Sequence, residues 1–273
     1  MLFAGSEMLM RLKIMTYNLY NGWSLKKNKV GDRDDLAASV ILSHMPDVIG
    51  FQEVDPCYRL ADNPLDELLS EHYSEAGETH TTWNPIFYNR RTVRVLSYGE
   101  ETFRDGTEYP YPRGGSSAFR TVSYALLEIL ASGERFWVLN LHYDCNKEPS
   151  VTRENQLSES AQILELSTDL LSRHPSEALF VTGDYNSTVG STACRVMLEN
   201  GFADTRTWAT EKDDVGTCAT LGSPLVGSYE SRAIDHVFCR SDRPLAVLSY
   251  QTIGNARDAS DHAPVIVTLG EDE

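Results

Sequence analysis

The sequence predicts an α/β protein in which short apolar strands are interrupted by a few amphipathic helices. Three observations predict it. Several β-rich runs, among them Ala178-Leu-Phe-Val-Thr-Gly-Asp184, each end on a polar side chain; segments with an apolar face at helical spacing lie between them; and no repeat, low-complexity tract or linker divides the 273 residues. A chain of this length can fill one large core, so residues 1–273 are read as a single domain. Residues 1–11 are expected to be a disordered N-terminal extension upstream of a second candidate initiator at Met8 or Met10.

Taken in order, Leu12-Lys-Ile-Met-Thr-Tyr-Asn18 is a strand ending on an amide, followed by a Gly-, Asn- and Lys-rich loop over 20–31. Residues 32–45 predict a helix, with acids in the first turn and Leu36, Val40, Ile41 and Met45 on one apolar face, closed by Pro46. Asp47-Val-Ile-Gly-Phe-Gln-Glu53-Val is a buried strand delivering a carboxylate, which is costly unless paired or metal-bound. A short helix over 65–69 and short strands between 84 and 98 follow. Residues 104–117, rich in Gly, Pro and Tyr, are the least regular stretch, and loops of that length tend to be functional. Residues 119–130 and 134–142 form a hairpin joined at Ala131-Ser-Gly133. In its second strand Asn140 and His142 face away from Leu139 and Leu141. A lone histidine in an apolar strand is more often a satisfied core residue, but His142 lies at the strand end.

The longest helix spans 150–173, with Leu157, Ala161, Leu164 and Leu171 as its stripe. The strand from Ala178 then runs to Asn186, and period-two alternation points Asp184 and Asn186 to the same side. Read alone, Gly183-Asp184 is a turn; as a strand end, an acid beside a carboxamide suits a hard cation or a phosphate with its attacking water. A helix over 191–199, a polar connection, a strand over 232–240 with Asp235 embedded in it, a strand over 245–253 and a final strand from Ala263 to Leu269, introduced by Ser260-Asp261-His262, complete the chain. Asp235 within an apolar strand implies a cationic or hydrogen-bonding partner.

Composition narrows the classes. A net charge of -16 repels polyanions and disfavours a general nucleic-acid binder. Cys57, Cys145, Cys194, Cys218 and Cys239 contain no CxxC pair, so neither a zinc site nor a disulfide framework is expected, and the thiols read as reduced, in a cytoplasmic setting. No apolar run is long enough for a transmembrane segment, and the first ten residues, which carry Glu7, do not read as a signal peptide. Oligomeric state leaves no mark in the sequence.

Thr16-Tyr-Asn18, Gln52-Glu53, Asn140-Leu-His142, Gly183-Asp184-Tyr-Asn186, Ile234-Asp235-His-Val-Phe238 and Ser260-Asp261-His262, in this order, resemble the endonuclease/exonuclease/phosphatase superfamily. The resemblance runs from about Ile14 to Leu269. It implies a four-layer α/β sandwich, two mixed β-sheets packed face to face with helices on the outer faces. It also implies a metal-dependent hydrolase of phosphoester bonds, with Glu53 as the principal Mg²⁺ ligand, helped by Asn18 and by Asp261 through water; Mn²⁺ is the alternative ion. His262 would be the general base or transition-state stabiliser, oriented by Asp235. Asp184 and Asn186 would align the attacking water, and His142 would act as general acid or phosphate donor.

One departure stands out: Tyr20 occupies the place where several nucleases of the superfamily carry an acid. Asn140-Leu-His142-Tyr-Asp144, followed by Arg153 and Gln156, looks more like the small uncharacterised bacterial metal-dependent hydrolases. The expected partner is therefore a nucleotide-like, lipid-derived or other small phosphate ester. A nuclease is the alternative within enzymes, and a catalytically idle phosphate-binding module the alternative outside them.

Overall fold

Two mixed sheets lie face to face, each built around a parallel strand pair whose carboxyl ends share one edge of the sandwich. The computed structural model describes residues 11–20, 33–56, 64–77, 82–104, 120–145, 148–176, 178–243, 245–256 and 258–270. The expected extension 1–11, apart from Arg11, the loop 20–31 beyond Tyr20, and most of the 104–117 stretch lie outside the described residues.

The first sheet begins with β1 (Leu12–Asn18) and β2 (Val48–Gln52), which run parallel with Asn18 opposite Gln52. Short strands β3 (Tyr73–Glu75) and β4 (Ile86–Asn89) extend it beyond β2. The second sheet runs from β5 (Val93–Thr102) through β6 (Thr121–Ile129) and β7 (Arg135–His142) to β8 (Ala178–Asp184). β7 and β8 are parallel, with His142 opposite Asp184. β9 (Ala203–Asp204) and β11 (Asp235–Arg240) close this sheet, while β10 (Glu211–Lys212), β12 (Val247–Thr252) and β13 (Val265–Leu269) close the first. Because β11 runs antiparallel to β8, Asp235 at its start faces Asp184 at the other's end. β13 likewise runs antiparallel to β1, which carries the segment just before it to the same edge.

Strand alternation sorts the core into layers. Ile14, Val48, Val138, Phe180 and Val237 meet between the sheets. Tyr17, Ile49 and Phe51 point outward under α1 (Asp34–His44) and α2 (Pro64–Leu69). Leu139, Leu141 and Val181 point outward under α3 (Pro149–Arg173) and α4 (Thr192–Glu199). Four layers result, as the resemblance implied. Short helices α5 (Thr205–Trp208) and α6 (Tyr229–Arg232) sit in the connections ahead of β10 and β11.

A polar stitch crosses the apolar layer close to its functional edge. Asn140 of β7 donates to the Phe51, Asn84 and Pro85 carbonyls of the opposite sheet at 2.7, 3.0 and 3.2 Å. Its carbonyl accepts from Gln52 Nε2 at 2.7 Å and from the Thr182 hydroxyl at 3.1 Å. Gly50 makes room for it: a Cβ there would lie 2.4 Å from Asn140 Oδ1 and from Thr182 Oγ1.

Some expectations are corrected. The stripe of α3 is misplaced by the sequence: Ala161 is exposed and Leu157, Leu164 and Leu171 are only half-buried, while Gln156, Glu159, Ser160, Ile163, Leu166, Ser167 and Leu170 are buried. The buried face carries polar side chains that find partners inside, Ser160 donating to the Tyr143 hydroxyl at 3.0 Å and Glu159 accepting from the Asp144 N–H at 3.0 Å, so counting apolar residues selected the wrong face. On α1, Leu36 is exposed, and Ala37, Ala38, Val40 and Ile41 form the buried face; Met45 is the left-handed cap beyond its end. The strand expected over 232–240 starts only at Asp235, because Tyr229–Arg232 is helical.

Candidate active site

At the shared edge, the strand ends bring Asn18, Glu53, His142, Asp184, Asp235, Asp261 and His262 toward one another. Asp184 is the hub. Its Oδ2 accepts from Asn18 Nδ2 at 3.0 Å and lies 3.3 Å from His142 Nε2 and 3.8 Å from His262 Nε2; its Oδ1 accepts from the Asn186 N–H at 2.8 Å. On the far side of the His262 ring, Nδ1 lies 2.8 Å from Asp235 Oδ2, and the same oxygen accepts from the Thr217 hydroxyl at 2.5 Å. Thr217 in turn receives the Ile234 and Asp235 N–H groups at 3.0 and 3.2 Å. Asp235, His262 and Asp184 therefore stand in line, with the imidazole fixed in tautomer and tilt by the acid behind it.

The second arm of the site departs from strand geometry. Alternation would send Glu53 to the outer face with Ile49 and Phe51, but its φ of 59° turns the chain. Its Oε1 then accepts from Asn18 Nδ2 at 3.2 Å. Tyr20 (φ 54°) and Asn186 (φ 47°) are left-handed too, so three of the four non-glycine left-handed residues among those described lie at this site. Strain concentrated there is the mark of a segment held for its side chain rather than for the backbone. Asn186 is accordingly not the next inward residue of the strand. β8 ends at Asp184, and the Asn186 carboxamide donates to the Tyr143 carbonyl at 2.9 Å. Its orientation comes from this bond, not from alternation.

Three further side chains brace the site, two of which, Arg33 and Thr217, sequence reasoning passed over. Arg33 donates to the Leu19 and Ala259 carbonyls and, at 3.1 Å, to that of Tyr20, tying the Asn18 loop to the segment that carries Asp261. Gln156 donates to the carbonyls of Asp144, Tyr185 and Asn186 at 2.7, 3.3 and 3.4 Å, and Thr217 braces Asp235 as described. Gln156 was visible as part of the bacterial pattern. Arg33 among acids reads as a solvated helix start and Thr217 sits in a featureless polar connection, so neither carries a sequence signal.

Protonation follows from burial and crowding. Burial pushes the Asp184 carboxyl up to about 7; His262 pulls it down and Asp235 adds to the rise. Asp261 is pushed up to about 6, chiefly by burial, with His262 opposing and Glu53 repelling its charge. For His262, burial disfavours the charge, but Asp235, Asp184 and Asp261 together outweigh it and hold the imidazole well above its ordinary range. His142 goes the other way, since burial and the nearby Arg120 and His262 charges keep it neutral.

The open acceptors of the site bear on metal binding. Buried Glu53 Oε2, Asp261 Oδ1 and Asp235 Oδ1 have no hydrogen-bond partner. Asp184, Asp235 and His262 also offer ligand atoms within 4.8 Å of one another, but His262 is held as an imidazolium, with Nδ1 on Asp235 and no lone pair on Nε2 to give a metal. Glu53 and Asp261, oxygen donors that repel each other, form the set that fits a hard divalent cation. Asn18 fits less directly: its Oδ1 accepts from the Tyr20 N–H at 2.9 Å, which turns the amide nitrogen toward Glu53. It orients the Glu53 carboxylate and keeps one lone pair of Oδ1 in reserve.

Residues 15–262 match the sequence profile described as Endonuclease/Exonuclease/phosphatase family. The chain belongs to the endonuclease/exonuclease/phosphatase family. Members of the family are hydrolases acting on phosphoester bonds. No curated protein sequence matches the chain significantly. Among solved structures, an endonuclease/exonuclease/phosphatase family protein from Bacteroides thetaiotaomicron is similar at 21% identity and TM-score 0.75, over 95% of this chain and 98% of that one. A mannosyl-6-phosphatase from Bacteroides thetaiotaomicron VPI-5482 is similar at 21% identity and TM-score 0.73, over 95% of this chain and 100% of that one. The human Nocturnin catalytic domain with bound sulfate anion is similar at 15% identity and TM-score 0.68, over 95% and 93% of the two chains. These likenesses establish the shared fold of the family. No helix among the described residues is long and apolar enough to cross a membrane.

Proposed function

We propose that the protein is a Mg²⁺-dependent phosphoesterase that hydrolyses a phosphodiester or phosphomonoester by direct attack of water. The observation that carries this reading is the line Asp235–His262–Asp184 beside two unpartnered carboxylate oxygens, Glu53 Oε2 and Asp261 Oδ1. Solved relatives of this fold that are named as a phosphatase or carry bound sulfate support it.

Glu53 and Asp261 would hold Mg²⁺, with Mn²⁺ equally acceptable to oxygen donors, while Asn18 keeps Glu53 in place. The bound ion would neutralise substrate charge and polarise a phosphoryl oxygen. Asp184, with its pKa near working pH, takes a proton from the attacking water at Oδ2, and the Asn186 N–H on Oδ1 fixes the direction of that oxygen. His262, held as an imidazolium by the acids around it, presents Nε2–H to the phosphoryl group and to the departing oxygen. His142, neutral and buried, flanks the other side of Asp184, with Nε2 3.3 Å from Oδ2. Reading Asp184 as the proton acceptor and His262 as the charged donor follows from environments that push their pKa values in useful directions. An acid kept partly protonated and an imidazole kept charged are complementary roles.

The test is hydrolysis of bis-(p-nitrophenyl) phosphate and p-nitrophenyl phosphate with Mg²⁺ or Mn²⁺, comparing wild type with His262→Ala and Asp184→Asn. The reading expects turnover with at least one substrate and a loss of about 10²-fold or more in each variant. The diester-to-monoester ratio then fixes the substrate class. Folded protein inactive toward both substrates, or variants as active as wild type, would overturn it.

A further inference from the structure

Beside His262 and Asp261 opens a cavity of about 630 Å³, lined also by Tyr20, Thr220 and Arg232. Arg232 is the last residue of α6, three positions before Asp235, and its guanidinium makes no hydrogen bond or ion pair with the described residues. That is unexpected in a chain with 40 acidic and 24 basic side chains, where an exposed arginine readily finds a carboxylate.

Its stem, by contrast, is held. A Cβ at Gly216 would lie 2.4 Å from Arg232 Cβ, and one at Gly227, which has φ +79°, would lie 2.5 Å from Arg232 Cγ. Two side-chain-free positions from different turns thus form a slot for the arginine. The Gly216 N–H donates to the Gly227 carbonyl at 3.1 Å and the Thr217 N–H to the Arg232 carbonyl at 3.3 Å, so the slot is tied to the residue that braces Asp235. Tyr20 lines the same cavity, at a position where an acid would have offset the arginine's charge. Its left-handed backbone is pinned by Arg33 at 3.1 Å.

We propose that this cavity is a subsite for the part of the substrate next to the reacting phosphate, and that Arg232 binds a second anionic group there. The preferred substrates are then phosphate esters carrying a further phosphate or carboxylate, with the intervening atoms against Tyr20. This rests on the phosphoesterase reading, which places the reacting phosphate at His262. The planar guanidinium offers paired donors that match a phosphate or carboxylate in a way a lysine does not. A second cavity of about 530 Å³, lined by Asn186, Gln156 and Arg153, lies on the Asn186 side and supplies the internal comparison.

The probes are hexylphosphonate and hexane-1,6-diphosphonate, whose C–P bonds resist hydrolysis, titrated calorimetrically into the full chain with Mg²⁺ present. Wild type is expected to bind the diphosphonate about tenfold or more tighter, as a charge-assisted contact implies, against the factor of about two that statistics alone give. Arg232→Gln should bring the ratio down to about that statistical value and Arg232→Lys should leave it between, while Arg153→Gln should retain it. Unchanged melting temperatures and far-UV spectra establish that the variants are folded, and the lysine variant carries the test if the glutamine one is not. Binding of neither probe, a statistical ratio in wild type, a ratio that survives Arg232→Gln, or one lost in Arg153→Gln instead overturns the proposal. Hydrolysis of p-nitrophenyl esters separates the two readings: turnover without a diphosphonate preference rejects this inference alone, and an Arg232-dependent preference without turnover rejects the hydrolase.

Discussion

Replacing Asn140 with alanine removes the stitch between the sheets, and the structure sets the size of the penalty. The side chain is fully buried, its amide serves three carbonyls and its oxygen accepts two donors. Not all of these partners are stranded by the change. Gln52 Nε2 keeps Thr16 Oγ1 and the Gly50 carbonyl, the Thr182 hydroxyl keeps the Leu139 carbonyl, and the Pro85 carbonyl keeps the Phe51 N–H. The carbonyls of Phe51 and Asn84 lose this donor, at about 1–3 kcal/mol each, and the vacated volume adds to it, for a total of about 3–5 kcal/mol. Urea unfolding followed by circular dichroism would read this as a midpoint lowered by more than about 1 M at an m-value of about 3 kcal/mol/M. Asn140→Asp keeps the shape and the acceptors but aims a carboxylate at three carbonyls, and it should cost at least as much. A loss under about 1 kcal/mol in Asn140→Ala, or an aspartate variant milder than the alanine one, would refute the reasoning, because it would mean that these groups find partners without Asn140.

Other consequences are as direct. Asp235→Asn removes the charge behind His262 and should lower turnover by about 10²-fold or more with little change in melting temperature, as steady-state kinetics and a thermal melt would show; unchanged turnover would take Asp235 out of the mechanism. Glu159 is pushed up to about 8 from 4.5, chiefly by burial, with the Asp144 N–H and Arg120 opposing and Asp144 repelling. The folded state therefore holds that proton where the unfolded chain has lost it, so the stabilisation is complete below about pH 4.5 and is lost as pH rises toward about 8, at up to about 1.4 kcal/mol per pH unit. Glu159→Gln should flatten this component, so that the variant gains on wild type between pH 5 and pH 8 in urea titrations; a difference independent of pH would show that Glu159 ionises normally.

What was legible in the sequence is what strand geometry transmits. Asn18, His142, Asp184 and Asp235 end or begin buried strands, so a run of apolar residues followed by a polar one was enough to find them, and parallel and antiparallel pairing then brought them together. The two sheets with outer helices followed from the same pattern read with the family resemblance. Glu53 was found for a reason that does not place it: the alternation that flagged the strand would have turned its carboxylate outward, and only the left-handed backbone brings it in. Asn186 was expected to follow Asp184 on one face, yet it lies past the strand end and is aimed by the Tyr143 carbonyl. Thr217 and Arg33 act across sequence separations of 18 and 226 residues, to Asp235 and Ala259, and local pattern carries no trace of such pairings. The buried face of α3 was misread because its polar residues are paid for by internal hydrogen bonds rather than by solvent, a condition visible only once the partners are in place.

The most direct test of the central claim is the initial rate of bis-(p-nitrophenyl) phosphate and p-nitrophenyl phosphate hydrolysis as a function of Mg²⁺ concentration, for wild type beside Glu53→Gln of matched melting temperature. The account predicts turnover that is absent in EDTA, saturates with Mg²⁺ and falls by about 10²-fold or more in the variant. Turnover that ignores the metal, or a Glu53→Gln protein that responds to Mg²⁺ as wild type does, would contradict it.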